Sequence, residues 1–369
     1  MLTTFEVYGF RLFGHLVLPQ LGRVNLLVGR NNSGKSAFLE AMEIYTNKAS
    51  ARSLLSLISA RQETWEAKAQ VEFRHLYGNP IRHVFRGHKL PKLGEAGIQL
   101  GPTLGEGAPI RIFVAAYKML YDPELQIVRR ERVKPDDVEG LGGEIDLSLV
   151  VEENGRERRI MSLERGSELM RRHSVSQDLD VTCPIQVVPT RNMEVDKTAA
   201  LWDAIGLTEL RQEVISGLRL IEPINDLQFV QSTVSSRERL PLVTTDKSKE
   251  PLPLRSMGDG TNRLFNIVLA LASASDGVLL VDEFENGLHW SVQKEVWRTV
   301  FRLASRLNVQ VFATTHSRDC VQGFGEAWKE NEELGAFFRL QVADHGEVEA
   351  RPYQLELLAD SLETGVEYR

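Results

Sequence analysis

An almost unbroken apolar run, Val24-Asn25-Leu26-Leu27-Val28, feeds directly into Gly29-Arg30-Asn31-Asn32-Ser33-Gly34-Lys35-Ser36. Behind that loop, Phe38, Ala41, Met42 and Tyr45 recur at the i, i+3, i+4, i+7 spacing of a helix with one apolar face. A strand, a glycine-bounded loop and a helix in this order leave few folds open. The loop must turn its backbone N–H groups inward, where they and the helix N-terminus face an anion. The pattern G-x-x-x-x-G-K-[ST] is met at Gly29, Gly34, Lys35 and Ser36. Such a loop cradles phosphates with its own backbone, here with Asn31, Asn32, Ser33 and Ala37 completing the cradle. Lys35 is expected on the β- and γ-phosphates of ATP, and the Ser36 hydroxyl on Mg²⁺.

A second stretch matches the first. Val278-Leu279-Leu280-Val281 is continuously apolar, as parallel strands covered on both faces are, and it ends in Asp282-Glu283. Asp282 is placed to hold the Mg²⁺ shell. Glu283 follows where a carboxylate accepts a proton from an attacking water.

Around these motifs the chain divides in three. Residues 1–48 read as strand, strand, loop and helix. Residues 49–180 are irregular, with short strand-like pieces at Val71-Glu72-Phe73, Ile110 to Ala116 and Asp146 to Val151, punctuated by glycine and proline. Basic clusters recur there, at Arg82 to Lys92, Arg129 to Lys134, Arg156 to Arg159 and Arg171-Arg172-His173. Residues 74–174 nonetheless carry 17 Lys/Arg against 15 Asp/Glu, so the surface is mixed rather than basic. From residue 181 regularity returns: strands at Ile185 to Val188, Asp226 to Val234, Val278 to Glu283 and Val309 to Thr315 alternate with helices at Ala200 to Leu220, Ser256 to Ser275 and Leu288 to Leu307. Strands alternating with helices predict an α/β core. The discontinuous core spans 1–48 and 181–320, and a tail over 321–369 is expected to pack on it.

Composition closes off several classes. The formal charge of −7 over 369 residues argues against wholesale nucleic-acid binding. Ile267 to Val281, the longest apolar stretch, is broken by Ser273, Ser275 and Asp276, which argues against a membrane span. The start MLTTFEVYGF lacks the basic and small-residue features of a signal peptide. Cys183 and Cys320 are too few for a disulfide framework or a zinc site. A cytoplasmic protein is expected.

Two further pieces complete a set. Ser256-Met257-Gly258-Asp259-Gly260 precedes the helix that leads to the acid strand, and Ala313-Thr314-Thr315-His316-Ser317 ends the strand after it. The order of phosphate loop, S-x-G-x-G signature, D-E strand, G-L-H turn and T-H-S strand end resembles the ABC-type ATPases. Within them it is similar to the RecF/SMC/OLD-like branch. The resemblance covers residues 1–48 and about 181–320. It implies an ABC-type P-loop head with a mainly β and irregular insertion, and a head-to-head dimer sandwiching ATP. In that dimer Ser256, Gly258 and Gly260 of one copy cap the γ-phosphate held by the other. His316 would be the switch histidine, and Asn286, Gly287 and His289 the turn that communicates across the dimer. Trp290 stands where relatives usually have proline. For the glutamine-loop position, Gln186, Thr190 and Arg191 remain open.

No heptad run between residues 49 and 180 supports the coiled-coil arms of SMC proteins. About fifty residues follow Ser317, too few for the Toprim nuclease that many OLD-like proteins carry. The resulting expectation is an ATPase subunit of a two-component bacterial anti-phage defence system that controls a separate effector such as a nuclease. It would act as a dimer or within a larger assembly. The alternative is a RecF-like repair clamp that grips duplex DNA through the basic clusters. A third reading is a regulator that binds ATP and barely hydrolyses it.

Overall fold

The computed structural model describes residues 1–63, 79–103, 107–122, 127–140, 145–163, 183–232 and 239–364. The strand expected at Val71-Glu72-Phe73 and the cluster Arg171-Arg172-His173 lie outside them.

The apolar runs meet in one sheet. Its strands are β3 (Val24–Val28), β9 (Ile185–Val188), β13 (Val278–Val281), β14 (Gln310–Thr315), β15 (Gly335–Val342) and β16 (Val348–Tyr353). The order is β16-β15-β3-β14-β13-β9. All neighbours pair in parallel except β16, which runs antiparallel along the β15 edge. Every residue of β3, β13 and β14 is buried. Helices cover both faces, which is what such continuous apolar strands require.

On one face lies α1 (Lys35–Thr46), with Phe38, Met42 and Ile44 fully buried in a cluster shared with β3 and with a second sheet. On the other face lie α5 (Asp259–Ser273), α6 (Gln293–Arg306) and α7 (Arg318–Lys329), packed around Phe284, Trp297 and Phe324. The helix expected over Ala200 to Leu220 is two helices, α3 (Val195–Ile205) and α4 (Leu210–Leu218). The break falls at Gly206, a poor helix former, and the Thr208 hydroxyl donates to the Ile205 carbonyl at 2.8 Å.

Two expected boundaries look different in three dimensions. The C-terminal segment does more than pack on the core: β15 pairs directly with β3, so residues after 320 build the sheet that carries the phosphate loop. The insertion, in turn, is continuous with the N-terminus. Strands β1 (Phe5–Phe10), β2 (Phe13–Leu18), β4 (Ile98–Gly101), β5 (Ile110–Asp122), β6 (Ile127–Val133), β7 (Ile145–Glu153) and β8 (Arg156–Ser162) form one antiparallel sheet, ordered β2-β1-β4-β5-β7-β8 with β6 on β5. A helix α2 (Ala51–Ala60) follows α1, and α8 (Leu355–Thr364) closes the described chain. The remaining strands, β10 (Ile224–Gln231), β11 (Arg239–Thr245) and β12 (Leu252–Pro253), form a small meander leading to the signature.

Candidate nucleotide site

The phosphate loop leaves β3 and enters α1 at Gly34, whose φ of 98° disfavours any residue with a side chain. Space forbids one as well: a Cβ there would lie 2.8 Å from the Phe13 ring, which brings the antiparallel sheet down onto the loop. Lys35 is buried, and its Nζ donates to the carbonyls of Gly29 at 2.9 Å and Arg30 at 3.0 Å. Burial pulls its pKa down to about 8, against the raising influence of Asp282, Glu283 and Glu285. Ala37 is buried at the helix start, while Asn31 and Asn32 are exposed on the rim of the loop. Ser33 is 3% exposed, yet its Oγ has no hydrogen-bond partner. A buried orphan hydroxyl costs free energy unless a ligand satisfies it, so it fits an anion in the loop.

The acid strand brings its carboxylates to the same place. Ser36 Oγ lies 3.1 and 3.0 Å from the two carboxylate oxygens of Asp282. Two more hydroxyls converge on that carboxylate: Thr190 Oγ1 at 3.0 Å and Thr314 Oγ1 at 2.7 Å. A hydroxyl and a carboxylate are the hard oxygen donors that suit Mg²⁺. Glu283 sits at φ 50°, a left-handed conformation uncommon for glutamate, with its N–H donating to Thr314 Oγ1 at 2.9 Å. His316 is half-buried, and burial together with Lys35 lowers its pKa. Its backbone N–H, like that of Ser317, donates to Glu285 Oε1, at 3.0 and 3.1 Å.

Lys35, Ser36, Asp282, Glu283 and His316 therefore gather at the C-terminal ends of β3, β13 and β14. Ser256, Gly258 and Gly260 form a second group, of which Gly260 packs on the turn that follows the acid strand. A Cβ on Gly260 would come 2.7 Å from the Gly287 carbonyl, so glycine alone lets the two turns touch. Ser256, Gly258, Gly287 and His289 are exposed, and Trp290 beside them is 66% exposed. His289 has a local role too: its Nδ1 lies 2.8 Å from Ser291 Oγ and caps the short turn Trp290–Val292.

Of the glutamine-loop candidates, Gln186 lies opposite Leu279 inside the strand pair and Arg191 is exposed. Thr190 is the one that touches Asp282. Sequence reasoning gave no part to Arg263, Thr314 or Glu285. Arg263 is 2% exposed and donates to the carbonyls of Pro189 at 2.6 Å, Asp282 at 2.6 Å and Glu283 at 2.8 Å. Its signal was weak, because it follows Asp259, Thr261 and Asn262 in the polar first turns of α5. Thr314 and Glu285 offered none, because polar residues at strand ends and in turns are ordinary.

A cleft of about 620 Å³ opens beside the loop, walled by Arg30, Asn31 and Ser33 on one side and by Arg339, Gln341 and Arg351 of the β15–β16 hairpin on the other. The basic clusters are partly neutralised. Arg86 pairs with Glu347, Arg132 with Glu157, and Arg159 with Asp146 at 2.7 Å. Among the described residues, no helix is long and apolar enough to cross a membrane.

Residues 207–319 match the family model described as "AAA domain, putative AbiEii toxin, Type IV TA system". That span runs from α4 through the signature, the acid strand and His316. Over 354 residues the chain is 19% identical to a protein of Helicobacter pylori named "ATP/GTP phosphatase", covering 90% of each. Among solved structures it is similar to an SMC head bound to the C-terminal winged-helix domain of ScpA, at 14% identity and a TM-score of 0.48, covering 96% of this chain and 98% of that one. It is also similar to the SMC head domain of Thermotoga maritima, at 13% identity and a TM-score of 0.42, covering 96% and 99%. The site geometry and the match of residues 207–319 to an AAA domain agree: the fold is that of an ABC-type P-loop head, and the site is that of an ATPase.

Proposed function

We propose that two copies of this chain close head to head around ATP, hydrolyse it with Mg²⁺, and so control a separate effector in a bacterial anti-phage defence system. The observation that carries the chemistry is the Ser36–Asp282 contact with Glu283 as the next residue. Bound Mg²⁺ would supply positive charge to the β- and γ-phosphates, held by Ser36 and Asp282. Lys35 and the first amides of α1 bind phosphate. Glu283 takes the proton of the attacking water, and Arg263 holds the carbonyls on either side of that glutamate in place. His316 orients the γ-phosphate end.

The close approach of Gly260 to Gly287, with Gly258 exposed beside them, supports the dimer. It offers backbone donors and no bulky side chain to the second copy's γ-phosphate. The cleft beside Ser33 has the volume for the nucleoside. The defence reading draws on the family description, which names a toxin of a toxin–antitoxin system. The repair-clamp reading rests on basic clusters whose arginines are in several cases already paired.

The test is Glu283→Gln. With ATP and Mg²⁺ the variant is expected to lose turnover and accumulate as a dimer in light scattering. Capture of the tagged variant from its host then identifies what it controls. A variant that hydrolyses ATP at the wild-type rate removes the assigned base. A host complex of this variant with DNA and no second protein would replace effector control by the clamp.

A further inference from the structure

The pairing of β13 with β14 ends at Val281 opposite Ala313. Past that point single bonds join the two strand ends. The Glu283 N–H donates to Thr314 Oγ1 and the Phe284 N–H to the Thr314 carbonyl, each at 2.9 Å. One residue on, a side chain takes over: Glu285 Oε1 accepts the N–H of His316 at 3.0 Å and that of Ser317 at 3.1 Å. These donors lie where β14 stops and α7 starts, and a helix start leaves its first N–H groups without partners inside the helix. The Ser317 N–H is shared with Thr315 Oγ1 at 3.0 Å, and the Ser317 hydroxyl caps α7 by accepting from the Cys320 N–H at 3.3 Å. Glu285 Oε2 is buried and has no hydrogen-bond partner among the described residues. A carboxylate held half-satisfied in the interior costs free energy, so its presence here asks for a reason beyond packing.

We propose that Glu285 is a positioning residue for hydrolysis: its carboxylate holds the main chain at His316, and so sets where the imidazole meets the γ-phosphate. The inference rests on the ATPase reading above, in which His316 faces that phosphate. The turn that presents Glu285 is anchored from the core, because Phe284 beside it is fully buried and stacked on Trp297, with 3.8 Å between ring centroids. Two consecutive N–H groups on one oxygen fix the orientation of the peptide between them as well as its distance. A negative charge is also favoured at the start of α7, where the helix dipole is positive. Burial lowers the pKa of His316, and Glu285 is among the acids that oppose this. Reach decides the residue type. Threonine carries its oxygen two bonds nearer the backbone than glutamate does and falls short of those N–H groups. The chain thus uses a glutamate two residues after the assigned base to hold the histidine on the neighbouring strand.

The experiment uses the full chain with Glu285→Thr and Glu285→Gln, each made alone and in the His316→Ala background. Hydrogen exchange at the amides of residues 316 and 317 is read together with kcat and KM for ATP and Mg²⁺. Glu285→Thr is expected to speed exchange at both amides and to lower kcat about tenfold to a hundredfold, as misplacing a reacting group by about 1 Å can. KM is expected to move far less. Glu285→Gln keeps an oxygen that accepts both N–H groups and is expected to recover most of the rate. With the imidazole removed in His316→Ala, neither substitution at 285 is expected to lower kcat further. Should Glu285→Thr not fold, Glu285→Asp replaces it with the same expectation, since it keeps the charge and shortens the reach by one bond. Glu285→Thr at the wild-type kcat, Glu285→Gln no better than Glu285→Thr, or an equal loss with and without His316 overturns the proposal. Wild-type protein that fails to hydrolyse ATP overturns the ATPase reading itself, and is distinguishable because it shows before any substitution is made.

Discussion

The hydroxyl of Thr314 donates to Asp282 at 2.7 Å, and the same oxygen accepts the N–H of Glu283 at 2.9 Å. One fully buried side chain on β14 thereby orients both acids at the end of β13. Thr314→Val should lower turnover by about tenfold to a hundredfold, as loss of a group supporting a metal ligand does. It should also cost about 1–3 kcal/mol of stability through the unsatisfied partners left behind. Thr314→Ser should recover most of the rate. Steady-state kinetics and denaturant melts on the two variants check this, and a Val variant at the wild-type rate would rule the role out.

Arg263 offers a second test of how the site is built. Its guanidinium is buried, with a pKa drawn down to about 10 by that burial, and it bonds three carbonyls around the acid strand. Arg263→Met should destabilise the fold by about 3–5 kcal/mol, because those carbonyls lose a charged donor in a buried setting. Arg263→Lys should recover only part, since an ammonium cannot present the same planar fork. Equal melting temperatures for the Lys variant and wild type would show that charge alone matters.

The lowered pKa of Lys35 has a pH signature. Its folded value of about 8 lies below the ordinary 10.5. Between those values the unfolded chain binds more protons than the folded one. Stability of the nucleotide-free protein therefore gains from this group as pH rises from 8 to 10.5, and is penalised below 8. Phosphate binding needs the ammonium, so ATP affinity should fall over the same range. Lys35→Met should abolish both trends. Melting temperature and nucleotide affinity across pH 7–10.5 measure them, and a wild type indistinguishable from Lys35→Met would remove the assignment.

Gly34→Ala places a methyl group 2.8 Å from the Phe13 ring on a backbone at φ 98°. A loss of about 1–3 kcal/mol from the backbone strain alone is expected, with nucleotide binding abolished. Trimming the ring in Gly34→Ala/Phe13→Leu should relieve the clash and leave the strain. Binding would then stay lost while stability recovers in part. Full recovery of ATP affinity in the double variant would show that the glycine serves packing only.

The cleft between the phosphate loop and the β15–β16 hairpin makes its own prediction. If the nucleoside lies there, Gln341→Ala raises KM for ATP severalfold and leaves KM for inorganic tripolyphosphate unchanged, because only the first compound reaches the hairpin. Equal effects on both substrates would place the nucleoside elsewhere.

Much of this site was legible in the linear order of residues. Gly29 to Ser36 and Val278 to Glu283 announce themselves because the constraint is local: glycine where the backbone must turn, apolar residues where a strand is covered twice, acids at its end. The break at Gly206 and the capping role of His289 were less visible, since each depends on one hydrogen bond among several equally ordinary choices. What the chain order could not contain is adjacency across the sheet. Parallel strands are brought together by crossovers, so β15 reaches β3 from more than three hundred residues away, and the C-terminal segment became part of the core. For the same reason Thr190, Thr314 and Arg263 acquired roles. Thr314 and Arg263 read as unremarkable polar or charged positions, and Thr190 as one of three open candidates, until β9, β14 and α5 pack beside β13. Local pattern therefore pointed to a phosphate loop and to the end of the acid strand as the two halves of the candidate nucleotide site. The tertiary structure alone decided which hydroxyls hold the Asp282 carboxylate, because hydrogen bonds are short-ranged and their partners are chosen by packing.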